Sequence, residues 1–337
     1  MQKFILFFTI LLLAFSYQPR KPGHIVQITK DDLYPRWLIE NGYHTEQTSG
    51  ITYIGSNKAN ENYFLLADDI GKIHRLKIID DTTFNFTSIS FSEDVQWFFN
   101  GFPKLDFEEI TYDKFTGDVY LSIEGNEDNY KDFVGIYKIS FINDDLFDSA
   151  IVNIEKLNIQ PESEFYKYTK WNIGYEGLAV DSNYLYLGLE GFVNDKEYAD
   201  STIILVVDKN NLAIITEIST KELGIHTIGG LYADSNFNLW GVDRNNRRLF
   251  VLKLSEDLEI IDTTGWKLKP TIPGYPAIGY VGSIESITFD NAGNIYLVDD
   301  PWRKFFIPPD NVLGKLDSQT ISKFTSYIPI IFRYKLN

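Results

Sequence analysis

The sequence predicts an all-β chain, a five-bladed β-propeller of four-stranded antiparallel blades closed by an N-terminal strand. Three observations carry this. A short phrase recurs five times, at 49–53 (SGITY), 109–113 (EITYD), 176–181 (EGLAVD), 230–234 (GLYAD) and 285–290 (ESITFD). Aligned on Ile51, Ile110, Leu178, Leu231 and Ile287, the copies stand 59, 68, 53 and 56 residues apart. A repeat of that length is one supersecondary unit that buries its faces only by stacking on its neighbours. Aromatic residues make up 15% of the chain, mostly Tyr and Phe, which suits stacked sheets.

Each phrase opens a unit whose later strands follow in a constant order. Second strands are predicted at 63–68, 119–124, 185–190, 239–243 and 295–299, and third strands at 71–78, 135–141, 202–208, 248–254 and 330–336. Between first and second strands lie turn formers such as Gly117-Asp118, Asn183, Asn236 and Gly293-Asn294. Fourth strands are expected at 84–91, 150–157, 212–219 and 258–264, but the last unit has none. The β-prone segment 23–29 (GHIVQIT) is expected to supply it, so that both chain ends meet in one sheet and no edge is left open. Six blades are the alternative, with the extra one in the longest interval, Ile110 to Leu178. The polar stretch 160–171 in that interval reads as a loop insertion.

The N-terminus has the layout of a secretory signal over 1–16. Lys3 precedes an apolar run at 4–13 broken only by Thr9, and Ala14 and Ser16 offer small residues for cleavage. The run is shorter than the ~20 residues of a membrane span. Residues 17–337 are then one exported domain, periplasmic or secreted and monomeric, with no transmembrane segment. The chain has no cysteine, so it has neither disulfides nor a cysteine-linked lipid.

The formal net charge is -16. Such a surface repels phosphate backbones, which argues against nucleic acid as a partner and for cations. The acids are also patterned. The opening of a blade's first strand and the end of its second emerge at the same rim. Glu109, Glu176 and Glu285 stand at the openings, while Ser49 and Gly229 take the other two places. Asp68, Glu124, Glu190, Asp243 and Asp299 stand at the ends, with Asp69 and Asp300 beside them. Hard oxygen donors without His or Cys select calcium over zinc or copper. The expected metal ligands are Glu109, Glu176, Glu285, Asp68, Glu124, Glu190, Asp243 and Asp299.

Enzyme signatures are sparse, and no catalytic residue is assigned. The chain has no G-x-S-x-G phrase and no paired-His metal spacing, and its histidines are His24, His44, His74 and His226. His226 precedes the fourth opening strand, where Ser49 or Ser286 is the candidate nucleophile. Arg244 and Arg303 follow second-strand acids and, with His226, are the candidate ligand-binding residues. The aromatics at 97–99, Trp302 and 305–306 either shape a ligand rim or pack between blades.

The phrase 174–179 (GYEGLA) followed by 186–191 (YLGLEG) resembles the phytase-like propellers described as having esterase-like activity of phytase. Ser49-Gly50 alternating with acidic openings is similar to the related SdiA-regulated propellers, and 285–287 and 299–301 fit both. The resemblance covers about Ser49 to Tyr334. It implies an exported propeller, calcium-bound, acting as an ester or phosphoester hydrolase, and carries over no catalytic residue. The chain departs from the pattern where Glu109, preceded by Glu108, is followed directly by Ile110 without the usual glycine, and where Gly229-Gly230 replaces an acidic or hydroxyl pair. The alternative is a scaffold at the cell envelope that binds a small molecule, glycan or peptide without turnover.

Overall fold

The computed structural model describes residues 27–58, 61–194, 197–279, 282–301 and 307–336. The signal read over 1–16, the segment 23–26 and Arg303 lie outside them. The described chain is all-β and propeller-like. The second unit pairs Phe107–Tyr112, Val119–Ile123, Gly135–Phe141 and Ala150–Lys156 in simple antiparallel order. The first (Thr48–Lys58, Glu61–Asp68, Lys72–Ile79 and Thr83–Phe91), the third and the fourth repeat that order. The last runs Ile284–Phe289, Asn294–Asp299 and Ile330–Leu336, and its outer strand is Ile28–Lys30 from the N-terminus.

Alternation dictates these sheets: in Asn294–Asp299 and Ile330–Leu336 the apolar residues face neighbouring sheets on both sides and almost nothing is exposed. The core accordingly consists of five separate apolar clusters, each between two sequential units or between the last and the first. The five opening strands touch in a closed circuit, Thr48–Lys58 to Phe107–Tyr112 to Tyr175–Val180 to Gly230–Ala233 to Ile284–Phe289 and back. Side-chain hydroxyls stitch that circuit at the seam: Ile51 N donates to Ser286 Oγ at 2.9 Å and Tyr53 N to Thr288 Oγ1 at 3.0 Å.

The structure adjusts the sequence reading in three places. The first two units fuse into one eight-stranded sheet, because Ser90 and Phe91 pair in parallel with Ala150 and Ile151. The aromatics at 97–99 form the end of helix Glu93–Phe99, capped by Ser92, which packs on those two outer strands rather than at the mouth. The 160–171 stretch contains a short helix, Glu162–Phe165. No helix among the described residues is long and apolar enough to cross a membrane.

One buried cation ties both chain ends to the first unit. Arg333 is 2% exposed; its Nε donates to Asp31 Oδ2 at 3.0 Å, and its guanidinium also pairs with Asp81. It lies over the rings of Tyr34 and Tyr296, 4.6 and 5.9 Å from their centroids. Asp31 directly follows the N-terminal strand, and Asp81 lies in the turn between Lys72–Ile79 and Thr83–Phe91. Removing one member of a buried pair strands the other's charge. Arg333→Met is therefore expected to lower unfolding free energy by about 3 kcal/mol in urea titrations, the low end for a broken buried pair because Lys335 still faces Asp31. A loss under about 1 kcal/mol, the scale of an exposed pair, would show that the closure does not depend on this arginine.

Candidate functional site

A cavity of about 670 Å³ lies where the opening strands begin and the second strands end. It is lined by eight carboxylates, Asp69, Asp106, Glu108, Glu124, Glu176, Glu190, Glu285 and Asp300, against two cations, Lys104 and Arg244. Ser49, Asn172, Tyr198 and Asn245 complete the wall.

Strand register explains why these residues face inward. At the mouth, Thr48, Tyr175 and Ile284 pair with Asp68, Leu189 and Asp299, but the next pairs begin at Gly50, Gly177 and Ser286. The residue left over in each opening strand, Ser49, Glu176 and Glu285, is a bulge, which re-aims its side chain. In the second unit Phe107 pairs with Ile123 and Ile110 with Leu121, so Glu108 holds the bulge position and Glu109 the glycine position. On four second strands the cavity-lining residue is the one just past these pairs, Asp69, Glu124, Glu190 and Asp300. In the fourth unit, where the pairing ends at Gly230 and Val242, it is Arg244, two positions on.

Four predicted metal ligands, Glu124, Glu176, Glu190 and Glu285, thus line the cavity. The other four do not. Glu109 is 1% exposed and lies below the floor, where its carboxylate accepts from Ser286 Oγ at 2.6 Å and from the Ile51 and Ile110 amides. It fits because Gly230 has no side chain; a Cβ there would come within 2.9 Å of Glu109 Oε2. Asp68 accepts from Thr48 Oγ1 at 2.8 Å and the Glu46 amide, and pairs with His74 Nε2 at 2.9 Å. Asp243 accepts from Thr227 Oγ1 and Asn246 Nδ2, and Asp299 from the Ile330 amide. These aspartates have zero exposure and hold loops in place.

The ligand-binding candidates are likewise redistributed. The His226 amide donates to Asp243, and its ring is not part of the cavity wall. Ser286 is fully buried under Glu109, which leaves Ser49 as the cavity hydroxyl of the two. Arg244 does line the cavity, but carboxylates already surround it. It donates to Glu285 at 3.1 Å and to Glu190, lies 3.4 Å from Glu176 Oε2, and is 3.4 Å from the Tyr198 hydroxyl. Arg244 therefore fills the quadrant that Gly229 leaves bare, where a Cβ would come within 2.9 Å of Glu285 Oε2.

Sequence reasoning missed Asp69 and Asp300 as the inward members of their doublets, and Glu108 as the partner of Glu109. The doublets themselves were the signal. Lys104, Asp106 and Tyr198 come from connecting segments outside the repeat phrase, with no periodic signal to reveal them.

The opposite half of the cavity is short of positive charge. Asp69, Asp106 and Glu108 each offer a carboxylate oxygen, and these atoms lie within 4.8 Å of one another. Oxygens on opposite sides of a calcium ion stand about that far apart, at ~2.3–2.6 Å from the metal each. Beside them Glu124 and Asp300, 4% and 8% exposed, each have one buried oxygen without a hydrogen-bond partner among the described residues. Burial, then the neighbouring acids Asp106, Glu124 and Glu176, hold Glu108 well above the usual carboxylate range. Glu124 and Asp300 are raised for the same reasons, and Asp69 is pushed up to about 8 by burial and by Asp106.

No family model and no curated protein sequence matches the chain, so the phytase-like and SdiA-regulated resemblance gains no support there. Solved structures do match. The xylose-bound GH43_1 enzyme of Xanthomonas citri is 10% identical, with TM-score 0.51 over 89% of each chain. A second structure of that enzyme gives 0.52, with 10% identity over 90% of this chain and 89% of that one. The PQQ-bound aldose sugar dehydrogenase of Streptomyces coelicolor is also 10% identical, covering 94% of this chain and all of its own, with TM-score 0.48. The likeness to the GH43_1 enzyme shows a propeller-like fold and, at this identity, nothing about chemistry.

The raised carboxyls set the direction of a pH dependence. An unfolded Asp or Glu loses its proton near pH ~4, whereas the folded cavity keeps protons up to about pH 8 at Asp69. Between these limits the folded state binds more protons than the unfolded one, so stability falls as pH rises. In chelator-treated protein the melting temperature is expected to drop steadily from pH 5 to pH 8, and Asp69→Asn to flatten that slope. A melting temperature that rises over this range would contradict the electrostatics described here.

Proposed function

We propose that this is an exported five-bladed propeller whose axial cavity binds a calcium ion. The five opening strands in closed contact support the blade count, each leading one four-stranded unit. One observation carries the ion: two buried carboxylate oxygens, on Glu124 and Asp300, point unpartnered into a cavity beside the Asp69, Asp106 and Glu108 cluster. Buried unsatisfied acceptors of like charge are costly, and a cation relieves all of them together. The donor set is all oxygen and irregular, which suits calcium with its ~6–8 ligands better than octahedral magnesium. Asp69, Asp106, Glu108, Glu124 and Asp300 are the ligands in this reading.

The cavity has space beyond an ion, being within the ~300–1,000 Å³ usual for small-molecule sites. Ser49, Asn172, Tyr198 and Asn245 offer neutral hydrogen-bonding groups for a polar ligand there. A bound calcium would supply Lewis acidity toward a carbonyl or phosphoryl oxygen, the chemistry an ester or phosphoester hydrolase needs. Arg244 is already paired through its two terminal nitrogens with three carboxylates, which offset its charge and make it a poor anion receptor. The hydrolase reading therefore depends on the ion, and without turnover the cavity is a ligand-binding platform for a sugar or peptide.

Equilibrium dialysis of chelator-treated protein against calcium tests the ion directly. We expect saturable binding and a raised melting temperature, with about 2.7 kcal/mol of stabilisation at a hundredfold excess over Kd. Glu124→Gln with Asp300→Asn is expected to weaken binding at least tenfold. Failure of the unmodified protein to bind calcium at millimolar concentration would end the proposal. Nitrophenyl acetate and nitrophenyl phosphate, assayed with calcium and with chelator, separate hydrolase from platform.

A further inference from the structure

The two cations in the cavity wall are held in opposite ways, and the difference bears on how an ion would enter. Lys104 lies in the segment between helix Glu93–Phe99 and strand Phe107–Tyr112. Its Nζ is 2.6 Å from Asp69 Oδ1 and closer still to Asp106 Oδ1. These are two of the three carboxylates grouped within ligating distance of one another. The lysine ammonium thus sits on the oxygens that the calcium reading assigns to the metal.

From this geometry we infer that Lys104 is an exchangeable counter-ion, which a divalent cation displaces from Asp69 and Asp106 when it binds. The inference rests on the calcium reading above. Three features support it. An ion ~2.4 Å from both Oδ1 atoms and an ammonium bonded to the same atoms would occupy overlapping positions. The carboxylates are held independently of the lysine: Gln47 Nε2 donates to Asp69 Oδ2 at 3.2 Å, and Asn126 Nδ2 to Asp106 Oδ2 at 2.7 Å. When the lysine leaves, both Oδ1 atoms remain aimed at the cavity. Finally, the Lys104 side chain is 45% exposed, so a rotation of its flexible stem carries the ammonium into water, where it is well solvated.

Arg244 provides the contrast. Its side chain is 13% exposed and its planar fork meets Glu176, Glu190 and Glu285 at once. Burial works against its charge, but those three carboxylates hold it firmly protonated. It is the permanent counter-ion of one side of the cavity, and Lys104 the removable one of the other.

Amine labelling of the intact protein, read residue by residue by mass spectrometry, tests the exchange at constant pH. Reductive methylation of Lys104 is expected to rise severalfold on adding calcium, while Lys209, buried against Asp113, stays unchanged as the internal control. Lys104→Met is expected to tighten calcium binding at least tenfold, because no ammonium has to be displaced. Tighter binding in the variant without a calcium-induced change in Lys104 labelling of the unmodified protein would overturn the exchange, leaving simple repulsion. Calcium binding with both labelling and affinity unaffected overturns it as well, and leaves the calcium site standing. If neither protein binds calcium, the calcium reading itself falls. If only Lys104→Met binds, the lysine blocks the ion's place without being exchanged, which overturns the inference together with the calcium reading of the unmodified protein.

Discussion

The crowding of five strands around one axis governs the rest of this structure. At the glycine just before an apolar anchor, the neighbouring unit leaves almost no room. A Cβ on Gly50 would lie 2.8 Å from Ile110 N, and one on Gly230 would lie 2.6 Å from both Glu285 O and Ser286 Cα. Glycine or serine holds this place in four units, and the single large residue, Glu109, survives because its carboxylate threads past Gly230 to Ser286. Side chains that project into the cavity must come from one position earlier, where a bulge turns Ser49, Glu108, Glu176 and Glu285 toward the mouth.

That geometry concentrates charge in a way no single strand would. Carboxylates outnumber cations four to one in the cavity wall, and most of these acids are largely shielded from water. In such surroundings like charges are much more costly than at a surface, and the structure responds by three routes. Arg244 neutralises one side, Lys104 partly neutralises the other, and several carboxyls retain protons at pH values where exposed acids have lost them. The fold tolerates this crowding of charge because the five apolar clusters between sheets lie elsewhere.

Closure of the ring is achieved without covalent bonds. The outer strand Ile28–Lys30 pairs with the C-terminal strand, placing Asp31 against Arg333, while Arg333 reaches on to Asp81 in the first unit. Together with the Ile51–Ser286 and Tyr53–Thr288 hydrogen bonds, this links the last unit to both the N-terminal strand and the first unit. A chain lacking cysteine needs such a seam, since an unpaired edge would otherwise remain at the final sheet.

The amino-acid sequence by itself determined the repeat, the strand order within each unit and the acidic excess, because alternation and turn chemistry act over a few residues. The second strands, the shared last sheet and the acidity of the mouth were legible for that reason. Only the tertiary structure decided which member of each acidic doublet faces the cavity: Asp69 rather than Asp68, Glu108 rather than Glu109, Asp300 rather than Asp299. A strand reverses side-chain direction at every residue, so a bulge of one position exchanges wall for core. Where that bulge falls depends on crowding by the neighbouring unit, 50 or more residues away in the chain. The same distance hid Lys104 and Asp106, whose places follow from how connecting segments drape over the finished ring.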